Sequence, residues 1–435
     1  MTSRRPTRLH RLALLVVPAL ALTAACTGGG DSATPAASGQ TLKIGLLAQL
    51  SGPNKSAGTE AQNGAKLAVD VINGLNPSIP LQLASDSGLP NLGGAKVSLV
   101  VKDATPTAGE DAQVTAGNAV TQLVSDEGVN ALVGAYDPEV TEAASQRSER
   151  YEVPFVNADS PATFLTDAGR DWFFRIGPTW RSAGEAFFSL LREQQMRPVK
   201  VAVLHANDKA GQDVVTTTGE LAAEGSLPDP KAFGFNPDGS NAGKVLGELK
   251  QYNPDTLLLY STPASVQPLL RVFAGGGWKP RAALSFSLGY VTAPTFDPVS
   301  GAVDGLMRST SWSIEAAKRN PAAQAVTDLY LRRFNSPMTE AAASAFTAVM
   351  TVAQAVNNSG TLDNQQVRSA LLSLNIPGEQ TIMPWAGIQF DETHQNTLAQ
   401  ALIEQYHNKA FTVVYPSDAA RRGGKVIIPA PNASG

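Results

Sequence analysis

Cysteine is almost absent from this chain. Cys26 is the only one, so no disulfide can form within it. Histidine is scarce too. His10, His205, His394 and His407 are scattered, without HExxH or Cys/His spacing, so the sequence offers no metal site. There is no basic excess: 34 Lys and Arg stand against 38 Asp and Glu, which argues against a nucleic-acid partner. Also missing are a GxxxxGK[ST] phosphate loop, a GxGxxG after a strand and a GxSxG nucleophile elbow. Acidic pairs such as Asp391-Glu392 read as solvated turn charges. The sequence therefore nominates no catalytic residue and no cofactor.

Long apolar runs are lacking as well. "LALLVVPALAL", Leu12 to Leu22, is too short to span a bilayer comfortably. It follows Arg4, Arg5, Arg8 and Arg11, as the apolar region of an export signal does. Ala24 and Ala25 directly before Cys26 resemble a bacterial lipobox, with Thr23 where that motif prefers leucine. Residues 1–26 are thus expected to be a signal peptide with a lipobox, and Cys26 the lipidation site. Ordinary cleavage nearby is the alternative. Several acyl chains at about 0.8 kcal/mol per buried methylene anchor a protein without a membrane-spanning helix. Residues 27–41 are small, polar and rich in Gly and Pro, and read as a flexible tether. Loss of residues 1–25 removes four arginines, leaving 30 basic against 38 acidic residues and a formal charge of −8.

What remains is a globular composition, 43% hydrophobic and 17% charged. From Leu42 onward, apolar runs suited to buried strands alternate with helical patterns. "LKIGLLAQ" is followed by "GTEAQNGAKLAVDVIN", then "VSLVVKD", "VNALVGA" and "VPFVNA" with helices between them. The same grammar restarts after "WFFRIGPT". Alternation of this kind indicates doubly wound parallel sheets, and the restart indicates two α/β lobes. The end, "TLAQALIEQYHNKAFTVVYP", reads as strands or a hairpin. "LSGPNKSAGTE" reads as a loop between the first strand and a helix starting near Glu60.

Residues 42–73 strongly resemble the N-terminus of type I periplasmic binding proteins of the leucine/isoleucine/valine-binding family. The matching residues are Leu50-Ser51-Gly52-Pro53, Gly58, Glu60, Asn63-Gly64-Ala65, Leu67-Ala68-Val69, Ile72-Asn73 and Asp103. "VNALVGAYDPEVTEAAS", "VPFVNADSPATFLT", "FFRIGPT" and "AGIQFDET" extend the resemblance to about Pro416. It implies two Rossmann-like lobes with parallel sheets, joined by three crossovers near Arg175–Thr179, Arg308–Trp312 and Asp391–Asn396. The implied N-terminal lobe is 42–176 plus 310–391, the C-terminal lobe 177–309 plus 392–416, and 417–435 a loose tail.

By the same resemblance, ligand contacts fall on cleft loops: Ala57, Tyr136, Pro138, Glu139, Asp159, Ser160, Pro161, Ala210, Thr262, Ser287 and Tyr290. Several depart from the family pattern. Asp137, Pro138 and Glu139 stand where amino-acid binders carry hydroxyls, and Ala57 and Ala210 where they carry aromatics. Branched-chain amino acids therefore do not follow as ligands. Asp159 is suited either to accept a ligand ammonium or to cap the next turn. Phe164, Trp180 and Trp312 are suited to a cleft wall or to packing.

The implied function is a membrane-anchored, extracytoplasmic substrate-binding protein of an ABC importer. It would be a monomer that closes two lobes on a small polar solute such as an amino acid or amide, and would partner an ABC permease. A sensor subunit for a membrane receptor, using the same closure, is the alternative, and a cell-envelope hydrolase a third.

Overall fold

A computed structural model describes residues 39–107, 110–275, 278–287, 296, 300–420 and 426–428. The signal segment, Cys26 and most of the tether lie outside the described residues, as does Tyr290.

The chain first builds five strands: β1 (Thr41–Ala48), β2 (Lys96–Asp103), β3 (Ala131–Gly134), β4 (Phe155–Asn157) and β5 (Phe173–Arg175). Between them run α1 (Lys55–Asn73), α2 (Ala112–Thr121), α3 (Pro138–Tyr151) and the single turn α4 (Phe164–Asp167). The strands pair in parallel in the order β2-β1-β3-β4-β5. The first helix begins at Lys55, not near Glu60 as its sequence suggests. Pro53 lies in a 3₁₀ turn over Gly52–Asn54 that leads straight into α1. Ala57 and Gly58 are therefore helical.

The chain then crosses to a second sheet. Here lie α5 (Trp180–Glu193), β6 (Val201–Ala206), α6 (Lys209–Glu224), β7 (Lys231–Phe235), α7 (Ala242–Tyr252), β8 (Thr256–Tyr260), α8 (Val266–Ala274), β9 (Ala282–Ser285), α9 (Ser300–Val303) and β10 (Met307–Thr310). After α10 (Ile314–Ala317) the chain returns to the first lobe with α11 (Pro321–Phe334), α12 (Glu340–Ser359), α13 (Asn364–Leu372) and the short pair β11 (Ile376–Pro377) and β12 (Gly387–Ile388). A final passage places β13 (Leu402–His407) and β14 (Ala410–Tyr415) in the second sheet, ordered β14-β13-β10-β9-β8-β6-β7. These last two strands form the terminal hairpin and pair antiparallel, so this sheet is mixed.

The first lobe's core is the contact of α1 with α12. Ala61, Ala65, Ala68, Val71 and Ile72 bury one side of α1, while α12 is buried almost throughout. Gly64 makes the approach possible: a Cβ there would lie 1.9 Å from the Ala342 carbonyl oxygen. The other face of the first sheet packs under α2 and α3, in an apolar cluster that runs on into the second lobe through Leu165, Trp180 and Phe187. Two of the three passages between lobes lie side by side. Arg175 N–H donates to His394 O at 3.0 Å, and Asn396 N–H to Arg175 O at 2.8 Å. The Asn396 side chain donates to Ile176 O and Gly387 O and accepts from the Gln389 and Leu398 amides. Within the described part of the tail, the Gln405 side chain exchanges two hydrogen bonds with the Ile427 backbone.

Candidate ligand-binding cleft

In open α/β sheets ligands collect outside the carboxyl ends of the strands. The strand ends of both lobes converge here on a cavity of about 70 Å³. A single water needs about 10–15 Å³ of such space, so the cavity has room for more than one water-sized group. The first lobe contributes Tyr136, Asp137 and Pro138 after β3 and Ala158, Asp159 and Pro161 after β4. The second contributes Tyr260, Ser261 and Pro263 after β8 and Phe286 and Ser287 after β9. The remaining wall is Pro178–Trp180, Ala183, Ser309–Ser311, Ala401 and, at the start of α12, Glu340.

Local chemistry fixes these loops. Asp137 caps α3, its carboxylate accepting from the Glu139 and Val140 amides at 2.9 and 3.3 Å, with Pro138 next. Asn157 donates to the Gly134 and Ala135 carbonyls and accepts from Ser160 N–H, joining the loops after β3 and β4. Ala135 is thereby held at φ 50°, a conformation alanine rarely adopts. Thr179 and Ser182 form a capping box that starts α5 beside Trp180. Asp103 is a loop organiser rather than a cleft group, accepting from the Leu50 and Thr105 amides.

The residues named from sequence separate into three sets. Tyr136, Pro138, Asp159, Pro161 and Ser287 meet in the cavity wall. Ser160 is buried behind it, with no partner for its hydroxyl among the described residues. Glu139 sits one residue inside α3, facing Asp208 and Lys209 of the second lobe, and burial followed by its acidic neighbours raises its carboxyl pKa. Ala57 packs into the first lobe's core and Ala210 is buried at the start of α6; neither lines the cavity. Thr262 turns away to Pro237 O and Ser265. Trp180 lines the cavity, Trp312 is a core residue, and Phe164 lies beneath the Lys209 ammonium at 4.2 Å.

Sequence reading missed Glu340, Tyr260, Phe286 and Ser309–Ser311 as wall residues. Tyr260 and Phe286 close apolar strands and look like core. Glu340 looks like an ordinary acid at a helix start.

Electrostatically the wall is acidic. Asp137, Asp159 and Glu340 line it, and no Lys, Arg or His does so among the described residues. Burial raises the pKa of Asp137 and of Glu340. Burial and then the Glu340, Asp137 and Asp159 charges push the Tyr136 phenol well up. Arg308 is paired to Glu404 at 2.6 Å and stacked on Phe411. Among the described residues no group of three His, Cys, Asp or Glu is placed to hold a metal ion, and no helix is long and apolar enough to cross a membrane.

A two-lobed molecule with a cavity walled from both lobes at facing strand ends is built to bind, and the sequence agrees. Residues 41–419 match the model of the family described as "Periplasmic binding protein". The chain belongs to that family. This binding protein is 24% identical over 411 residues to the Leu/Ile/Val-binding protein homolog 7 of Brucella abortus (strain 2308), a match covering 92% of the chain and 97% of that relative. Its fold is similar to the leucine binding protein LivK of Thermotoga maritima MSB8, with a TM-score of 0.70 and 19% identity, covering 87% and 100% of the two chains. It is similar also to a solute binding protein of an ABC transporter from R. palustris in complex with benzoate, with a TM-score of 0.68 and 16% identity, covering 86% and 95%. The family is one of substrate-binding proteins of transporters, not of enzymes.

Proposed function

We propose that this binding protein captures a small polar solute between its lobes, outside the cytoplasm, and delivers it to an ABC permease. The observation that carries this reading is the cavity walled by both lobes and two of the passages between them. A solute there touches both halves and so favours the closed arrangement. Tyr136, Pro138, Asp159, Pro161 and Ser287 are its proposed contacts among the residues named from sequence. Cys26 carries the lipid that holds the chain, a monomer, at the membrane. The relatives' names support transport, and their ligands differ: one structure holds benzoate, another isoleucine.

The test is mass spectrometry of solute released by denaturing protein isolated from its native source, beside uptake of that solute by cells with and without the gene. Unchanged uptake in the deletion strain sinks the importer reading. Cys26→Ser is expected to move the protein from the membrane fraction into the medium or periplasm.

A further inference from the structure

Two atoms in the cavity wall are buried without a partner among the described residues: Glu340 Oε2 and Trp180 Nε1. Glu340 as a whole is partly exposed, but this oxygen is shut from solvent. Its other oxygen is taken by the Ser311 amide, and the Ser311 and Thr310 hydroxyls stand near the carboxyl without meeting hydrogen-bond geometry at this oxygen. A carboxylate oxygen is an acceptor, so the missing partner is an N–H or O–H donor. Charge narrows the choice. Asp137 and Asp159 face the same space, and no cationic side chain lines it among the described residues. These acids do not converge on a metal site. Around them stand Tyr136, Trp180, Tyr260 and Phe286, with the Trp180 and Tyr260 rings 5.2 Å apart. Aromatic faces attract cations and tolerate anions poorly. The Trp180 indole N–H can donate to an acceptor on the ligand, and the serine hydroxyls adapt to either role.

We propose that the cleft selects a small organic cation with N–H donors, an amine without a free carboxylate, held by Glu340. The inference rests on the solute-binding reading and names its ligand class. A benzoate-like anion would meet three carboxylates in a wall without a cationic side chain among the described residues, since Arg308, whose charge reaches Glu340, is paired to Glu404 outside that wall, and a zwitterion would add one more negative group to the same space.

Matched probes isolate the charge. Calorimetric titration of the purified protein with benzylamine, benzyl alcohol and benzoate varies the head group on one ring. Leucinamide against leucine varies only the carboxylate. The amine of each set is expected to bind about tenfold or more tighter than its neutral or carboxylate counterpart. Glu340→Gln, with its fold checked by an unliganded melt, is expected to erase that preference, and Asp159→Asn to reduce it. Equal binding of benzyl alcohol would mean that Glu340 is protonated in the complex, and overturns the proposal. Preferred binding of benzoate or leucine overturns it too, while leaving solute binding intact. Binding by neither amine also overturns it; uptake in the deletion strain then decides the importer reading on its own.

Discussion

Gly58 and Gly211 occupy equivalent places in the two lobes, each in the first turn of the helix that follows a lobe's first strand. A Cβ at either would lie 1.9 Å from a backbone carbonyl oxygen, of Gln49 or of Ala206. Backbone cannot step aside, so Gly58→Ala and Gly211→Ala are each expected to cost about 1–3 kcal/mol in urea unfolding. Gly247 is helical with open space around its Cβ, and Gly247→Ala should instead stabilise by about 0.5–1 kcal/mol. The glycine at position 58 was legible in the sequence as part of a motif. Its reason was not, because the contact depends on how closely α1 lies on β1. Glu340 poses a separate question of pH. Burial raises its carboxyl pKa, opposed by Ser311 and by the Arg308 charge. Between the unfolded and folded pKa values the folded protein holds a proton that the unfolded chain has released. The stability this gives is present below the unfolded pKa and is lost as pH rises through the folded one. Glu340→Gln keeps an acceptor for the Ser311 amide and removes the titration. The unliganded variant is expected to melt above wild type near about pH 8, with the gap narrowing toward about pH 4.

At the scale of elements, alternating strands and helices could be read directly, since buried parallel strands are apolar runs and the helices between them carry a periodic face. The cleft was less legible because its wall is assembled from distant places. Tyr136 and Asp159 follow strands of the first lobe and stand in loops whose composition marks them. Glu340 opens a helix about 200 residues further along the chain, and only the packing of α12 on α1 brings it to the cavity. The passages between lobes make a prediction of their own. Asn396 satisfies two carbonyls and two amides where the first and third passages meet. Asn396→Ala leaves these groups unpaired in a buried setting, and a loss of about 2–3 kcal/mol is expected in denaturant titration.

At the scale of the whole molecule, few polar contacts among the described residues bind one lobe to the other. Thr163 N–H donates to Asp213 at 2.7 Å, and Lys209 pairs with Glu142 at 2.6 Å. Lys209 is half exposed, so its ion pair contributes at most about 1 kcal/mol. Lys209→Ala should therefore raise the ligand dissociation rate less than about fivefold in stopped flow. Such weak latching suits a protein that must open again. The order of the passages has a different effect, on synthesis. The surface of α1 is made among the first folded residues, yet its cover, α12, follows after the strands β6 to β10 of the other lobe. A chain that emerges N-terminus first therefore carries a bare apolar helix face through most of its production, and any factor that guards the nascent chain has that face to guard.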